Sequence, residues 1–293
     1  MTTATLPLSN LPLAGYFGFE YKRVPKPRAL RKLKNWMQEL PRSVGMRRSA
    51  QAVFVDAQGV WSWAAGDSLT PASRSDSMGS WFARNPGSDV TVWTSAQLLQ
   101  NFEAEAATHD LGERDFESRV REQFVSRHGS HAQQWPTATW QTRAGRGASA
   151  LAGMDLSVLW SEAEQHDVQV QAITPWWYHA YKTALQCVSS LRSSGNAAVC
   201  IVEGEQIAWI ACSHGAMTSI QQRQLAAPTV AVLAGEMRSI RNQSSRHSEP
   251  TVILGQGIKD GADTRLLSGL VLGRLDSLQP PVWLRPDTHF ERC

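Results

Sequence analysis

The sequence predicts an α/β protein with mixed sheets arranged in two lobes, and three observations carry that prediction. Asn196 to Leu225 reads as strand, turn, strand, turn, strand: an apolar run Ala197 to Val202, a turn at Gly204, an alternating run Gln206 to Cys212, a turn at His214-Gly215, and a second alternating run Met217 to Leu225. Gln51 to Trp63 repeats this on a smaller scale, with Ala52 to Val55 and Val60 to Trp63 flanking a turn at Asp56 to Gly59. Elsewhere short apolar runs alternate with stretches of helical spacing, the pattern of layered α/β folds. No internal repeat at a fixed period is visible. The division expected is an arm at 1–48, a first lobe at 49–160 and a second lobe at 161–293 with an extended C-terminal tail.

The elements follow in order. Residues 1–21 are apolar, punctuated by Pro7 and Pro12, and show no period. Their prolines and the lack of an early basic region argue against a secretory signal. Arg28 to Leu40 places Leu30, Leu33, Met37 and Leu40 at helical spacing, and Pro41 ends the stretch. After the first hairpin, Asp67 to Pro86 is rich in Ser, Gly and Pro and reads as a loop. Asp89 to Trp93 is a strand, and Ser95 is placed to cap a helix over Ala96 to Ala107. Asp115 to His128 spaces Phe116, Val120 and Phe124 by four, a half-buried surface helix. Ala138 to Gly147 is either a strand or a basic turn.

Leu151 to His166 is helical with Leu151, Leu156, Leu159 and Ala163 inward, and Val168 to Ile173 is a strand. Pro175 suits the start of a helix spanning Trp176 to Leu191. Pro228 to Gln243 is a helix carrying Val230, Leu233, Met237 and Ile240. Thr251 to Leu254 is a strand running into Gly255-Gln-Gly257. Leu266 to Leu272 is helix or strand.

Composition narrows the function classes. The chain has 293 residues and is 42% hydrophobic, enough for one large or two medium cores. No apolar run reaches the roughly 18 residues of a membrane span. Its four cysteines, Cys187, Cys200, Cys212 and Cys293, form no CxxC pair, which fits buried thiols in a reducing cytoplasm. The net charge of +3 conceals an asymmetry: Lys22 to Arg48 carries ten basic residues against Glu39 alone, and the remainder is net acidic. Such a segment is a solvated arm, a contact for anionic lipid or an acidic partner through residues such as Arg28, Arg31, Lys32 and Lys34, or a nucleic-acid contact. The last is the least expected.

Catalytic signatures are sparse. The turn at Asp56 to Gly59 has an acid and a glycine, as a phosphate loop does, but no Ser, Thr or Lys. The turn Glu203-Gly204-Glu205 keeps the glycine and also lacks hydroxyl donors. Gly255 and Gly257 would let a backbone approach a ligand, but the spacing to Gly261 fails the dinucleotide fingerprint. His128 and His131 lack a third ligand at suitable spacing, and no nucleophile elbow occurs. Neither a cofactor nor a metal is therefore expected. Among the 12 tryptophans, the cluster Trp176-Trp177-Tyr178 is the best candidate for an aromatic contact surface.

The segments Val90-Thr-Val-Trp93-Thr-Ser-Ala-Gln-Leu, Ala148-Ser-Ala-Leu151-Ala-Gly-Met-Asp-Leu156, Val170-Gln-Ala-Ile-Thr-Pro175-Trp176 and the meander Ala197 to Leu225 together resemble a known family. It is that of the cytoplasmic actin-like module of the type II secretion L protein, the type IV pilus M protein and the mannose-sensitive pilus assembly I protein. The resemblance covers roughly residues 50–260. It implies an actin-like ATPase fold with two ribonuclease-H-like lobes. It also implies a non-catalytic scaffold, cytoplasmic and peripheral to the inner membrane, joining an inner-membrane assembly protein to an assembly ATPase. A nucleotide site retained from the family would involve Asp56, Gly59, Gly204, Gly255 and Gly257, with ATP and Mg²⁺ as the alternative cofactor and weak ATPase activity as the alternative function. The chain departs from the family in lacking the L protein's transmembrane helix and in carrying the basic segment. Attachment is then expected through a partner or through that segment.

Overall fold

A computed structural model of the chain describes residues 50–63, 72–103, 111–141, 145–243 and 249–278. The basic segment with Arg28, Arg31, Lys32 and Lys34, and the tail beyond Leu278, lie outside the described residues. Strands β1 (Ala50–Asp56), β2 (Gly59–Ser62) and β3 (Ser73–Ser75) are followed by helix α1 (Met78–Arg84) and strand β4 (Asp89–Thr94). Strand β5 (Leu99–Glu103), helix α2 (Glu113–His128) and strands β6 (Thr137–Gln141) and β7 (Arg146–Leu151) come next. Helix α3 (Leu156–Gln165), strand β8 (Gln169–Pro175) and helices α4 (Trp176–Cys187) and α5 (Ser189–Ser193) lead to the meander β9 (Ala197–Glu203), β10 (Gln206–Ser213) and β11 (Ala216–Gln224). Helix α6 (Val230–Gln243) and strands β12 (Thr251–Gln256) and β13 (Leu270–Leu272) complete the described chain.

The topology shows a duplication that the residues do not. The first sheet has the order β3-β2-β1-β4-β8 and the second the order β11-β10-β9-β12-β13. In each, an antiparallel meander of three strands turns its first strand inward, and two further strands extend the sheet in parallel. The third sheet, β5-β7-β6, is inserted after β4 and buries Phe102 and Ala148 against Phe116, Val120 and Phe124 of α2. The spacing of four read from that helix is therefore a core stripe.

Strand alternation sets the core. Ala197, Val199 and Ile201 of β9 join a cluster that continues through Val53, Val92, Leu99 and Trp176 of the first lobe. Their neighbours Ala198, Cys200 and Val202 face the opposite way and meet Leu233, Met237 and Ile240 of α6. Both faces of β9 are buried, which explains why it reads as a continuous apolar run rather than an alternating one. The His214-Gly215 turn has positive φ at both residues, 50° and 74°, the geometry a two-residue hairpin favours.

Several expectations are corrected. Asp67 to Pro86 is not all loop: Ser77 caps α1 through the Ser80 N–H at 3.1 Å, and Met78, Trp81 and Phe82 are buried. Ser95 caps only a single 3₁₀ turn, Ala96–Leu98, after which β5 pairs with β7, so tertiary pairing overrides the helical spacing. Helix α3 starts at Leu156, capped by Asp155, and Leu151 ends a strand. The helix from Trp176 breaks at Val188. Strand β8 belongs to the first sheet, so the chain leaves that sheet after Pro175 rather than near 160. None of the described helices is long and apolar enough to cross a membrane.

The aromatic contact surface is also corrected. Trp176 and Trp177 are 2% and 0% exposed, and Trp176 meets Phe54 edge-on at 5.3 Å between ring centres. Tyr178 is only half-buried. The two indoles fill the core under the first sheet because Pro175 carries the chain from that sheet directly into the helix.

Candidate functional site

The turns singled out in the sequence converge on one cleft between the lobes. Asp56 at the end of β1, Gly204 between β9 and β10, and Gly257 after β12 all line a cavity of about 420 Å³, together with Gln97, Glu203 and Gln256. Gly59 and Gly255 do not line it. Gly59 borders a second cavity of about 330 Å³ beside α3, and Gly255 sits inside β12.

The turns are closed on themselves. Asp56 Oδ1 accepts the backbone N–H groups of Gln58 and Gly59 at 2.8 and 2.9 Å, and its Oδ2 accepts the Trp61 indole N–H at 2.9 Å. Ala57 N–H reaches Gln97 Oε1 at 3.4 Å. Gly204 N–H donates to the Gln256 carbonyl at 2.9 Å, and Gly257 N–H to the Ser277 carbonyl at 2.7 Å. A phosphate loop works by presenting unpaired N–H groups to an anion. Here those N–H groups already have acceptors within the protein.

The glycines serve packing. A Cβ on Gly257 would lie 2.8 Å from the Gly204 Cα, so the two turns rest against each other. A Cβ on Gly255, whose φ is +137°, would lie 1.9 Å from the Val202 carbonyl oxygen. Gly255→Ala should therefore destabilise the protein by at least about 2 kcal/mol, through backbone strain and separation of β12 from β9. Urea unfolding measures this, and an unchanged midpoint would overturn the assignment.

The residue that organises the cleft is Glu203. It is 2% exposed, yet it crosses from the second lobe to the first. Its Oε2 accepts the Ser95 hydroxyl and the Ala96 N–H, the latter at 3.0 Å. Gln97 Nε2 donates to the Glu203 carbonyl at 3.3 Å. Below this, Gln222 Nε2 of β11 donates to the Ala96 and Leu99 carbonyls at 2.6 and 3.0 Å, and Asn101 of β5 donates to Gln222 Oε1 at 3.1 Å. Burial pushes the Glu203 carboxyl up to about 7, opposed by the Ser95 and Ala96 hydrogen bonds and reinforced by the charge on Asp56.

These contacts were not visible in the sequence. Glu203 and Ser95 are 108 positions apart, and only the topology brings them together. Ser95 itself was legible as a cap, and it does accept the Gln97 N–H at 3.1 Å.

The fit to Mg²⁺-ATP is poor. The cleft lining includes the carboxylates of Asp56, Glu203 and Glu205 and holds no Lys, Arg, His, Ser or Thr among the described residues. Two of the three carboxylates are already hydrogen-bonded within the protein. No step through a nucleotide follows from these residues.

No protein-family model matches the chain, and no curated protein matches it. Solved structures do. A Bacteroides thetaiotaomicron protein described as having an actin-like ATPase fold and unknown function aligns at TM-score 0.52 and 8% identity, over 77% of this chain and 91% of that one. A structure of the PilM-PilN type IV pilus biogenesis complex aligns at TM-score 0.50 and 9% identity, over 77% and 88%. The cytoplasmic domain of EpsL, an inner-membrane component of the Vibrio cholerae type II secretion system, aligns at TM-score 0.44 and 10% identity, over 70% and 82%. The first of these alignments and the duplicated mixed sheets establish that this chain has the actin-like ATPase fold.

Proposed function

We propose that the chain is a non-catalytic scaffold of a type IV pilus or type II secretion-like envelope assembly machine. In this reading it lies on the cytoplasmic side of the inner membrane and joins an inner-membrane assembly protein to an assembly ATPase. The observation that carries it is the cleft. Its turn N–H groups are occupied by protein acceptors, and Glu203 is committed to holding the lobes together. A fold whose lobes are hydrogen-bonded to each other at the hinge serves as a fixed platform better than as a nucleotide cycle. Support for the machine comes from the PilM-PilN complex, a pilus biogenesis assembly that shares the fold. Attachment would run through a partner or through the basic segment Lys22 to Arg48.

A second reading, a nucleotide-binding protein with weak ATPase activity, is favoured by the convergence of Asp56, Gly204 and Gly257 on one cavity. The two separate in one experiment with two arms. Affinity capture of the full chain from its native cells should recover an inner-membrane assembly protein and an assembly ATPase. Purified protein should show no Mg²⁺-ATP turnover and no melting shift, whereas a nucleotide at 100 times its dissociation constant would add about 2.7 kcal/mol. Turnover that disappears on Asp56→Ala, or capture of neither partner, would overturn the scaffold.

A further inference from the structure

We propose that the interlobe cleft is a binding site for a small organic cation bearing N–H donors, an amine or a guanidinium, held between Glu203 and Gln256.

The placement comes from strand register. Glu203 ends β9 and Gln256 ends β12, and the two are direct partners in a parallel pair. Partners in register project their side chains to the same face. That face is the one carrying Val199, Ile201, Val252 and Leu254, which meets the first lobe. Both side chains are more than nine-tenths buried, at 2% and 7% exposed, and both line the cavity.

With Glu203 ionised, as at pH 8, each ends in an acceptor with nothing to accept. Glu203 Oε2 is occupied by Ser95 and Ala96, but its Oε1 has no hydrogen-bond partner, and Gln256 Oε1 has none either. Buried polar atoms are rarely left unpaired, and each exception calls for a missing partner. Two adjacent buried acceptors call for a ligand with several donors. The Gln256 amide makes this more than a cluster of acids, because it is a neutral acceptor left unmatched beside a charged one.

The surrounding charge selects the sign. Glu203 faces Asp56 on the β1–β2 turn and Glu205 on its own turn, and the other lining side chains include Gln58, Gln206 and Gln224. No basic side chain lines the cavity among the described residues to balance these acids. The backbone donors that would greet an anion are already used. A cation relieves the repulsion between Asp56 and Glu203 and supplies the donors both orphan oxygens lack. A bare metal ion fits less well: no group of three or more His, Cys, Asp or Glu residues able to hold one occurs among the described residues. The cavity volume of about 420 Å³ lies in the range of small-ligand sites, roughly 300–1,000 Å³.

The test is calorimetric titration of the full chain with spermidine and with agmatine at pH 8 in phosphate buffer, with tetramethylammonium as a cation that has no N–H. Saturable binding of an N–H cation, absent for tetramethylammonium, is expected. Glu203→Gln should weaken it at least tenfold by removing the charge. Gln256→Met should weaken it severalfold by removing the neutral acceptor. Equal response to tetramethylammonium, binding unchanged in both variants, or no saturation would overturn the site. In the last case the two oxygens are served by water.

Discussion

Trp177→Ala is expected to destabilise the protein by about 3–5 kcal/mol, the cost of emptying a large aromatic site in a core. Trp177 is fully buried, and its neighbour Trp176 packs on Phe54 of the first strand. A surface aromatic would be replaced at little cost to stability and with loss of a partner. Chemical denaturation of the variant distinguishes the two, and a change below about 0.5 kcal/mol would return the cluster to the surface. Because most domains hold only about 5–15 kcal/mol in total, partial unfolding at 37 °C is within reach of this single change.

The contrast between Trp177 and the meander shows what was legible. Ala197 to Gln224 announces its strands because each apolar run is bounded by a residue with positive φ, Gly204 or His214-Gly215. That information is local. The first hairpin is legible for the same reason, with Gly59 closing the turn at Asp56. Trp177 carries no such signal: an aromatic cluster at a helix start suits a core or an interface equally, and only the packing of α4 beneath the first sheet decides. Leu99 to Glu103 satisfies a helical spacing after a Ser cap, while the pairing that makes it a strand lies about 50 positions away in Leu151 and Ala150. The duplication of the two sheets is invisible in sequence for a related reason. Topology is set by which strands pair, and many apolar residues satisfy each pairing.

The candidate site divides along the same line. Asp56, Gly204 and Gly257 are legible as turn residues, and the structure places all three in one cleft. Their roles there are those of turns: Asp56 ties down its own loop, and the glycines let two loops touch. In the sequence Glu203 is only an acid beside a glycine. Its function as the bond between lobes depends on Ser95 and Ala96, which reach it from the end of β4.

Burial of that carboxyl, against the pull of its hydrogen bonds, makes its contribution to stability depend on pH in a direction opposite to the usual carboxylate. The Glu203 carboxyl is pushed up from an ordinary 4.5 to about 7 in the folded protein, chiefly by burial. Between those values the folded state keeps a proton that the unfolded chain has released. The contribution of Glu203 is therefore fully present below pH 4.5 and is lost as pH rises through about 7, by roughly 3 kcal/mol in all. Glu203→Gln removes this titration and retains an oxygen to accept from Ser95 and Ala96, while its amide N–H₂ supplies a donor beside Gln256. The variant should lose the slope between pH 5 and 8 and exceed the parent at pH 8 by up to about 3 kcal/mol in amine-free buffer. Glu203→Ala should behave differently. It leaves the Ser95 hydroxyl and the Ala96 N–H without an acceptor, at about 1–3 kcal/mol for each buried group, and should be less stable than the parent at acid pH. Urea unfolding of the three proteins from pH 5 to 8 makes the comparison. If the parent and Glu203→Gln fall in parallel, the Glu203 carboxyl is ionised alike in the folded and unfolded states and the latch does not titrate. If Glu203→Ala matches Glu203→Gln across the range, the hydrogen bonds to Ser95 and Ala96 do not hold the lobes together.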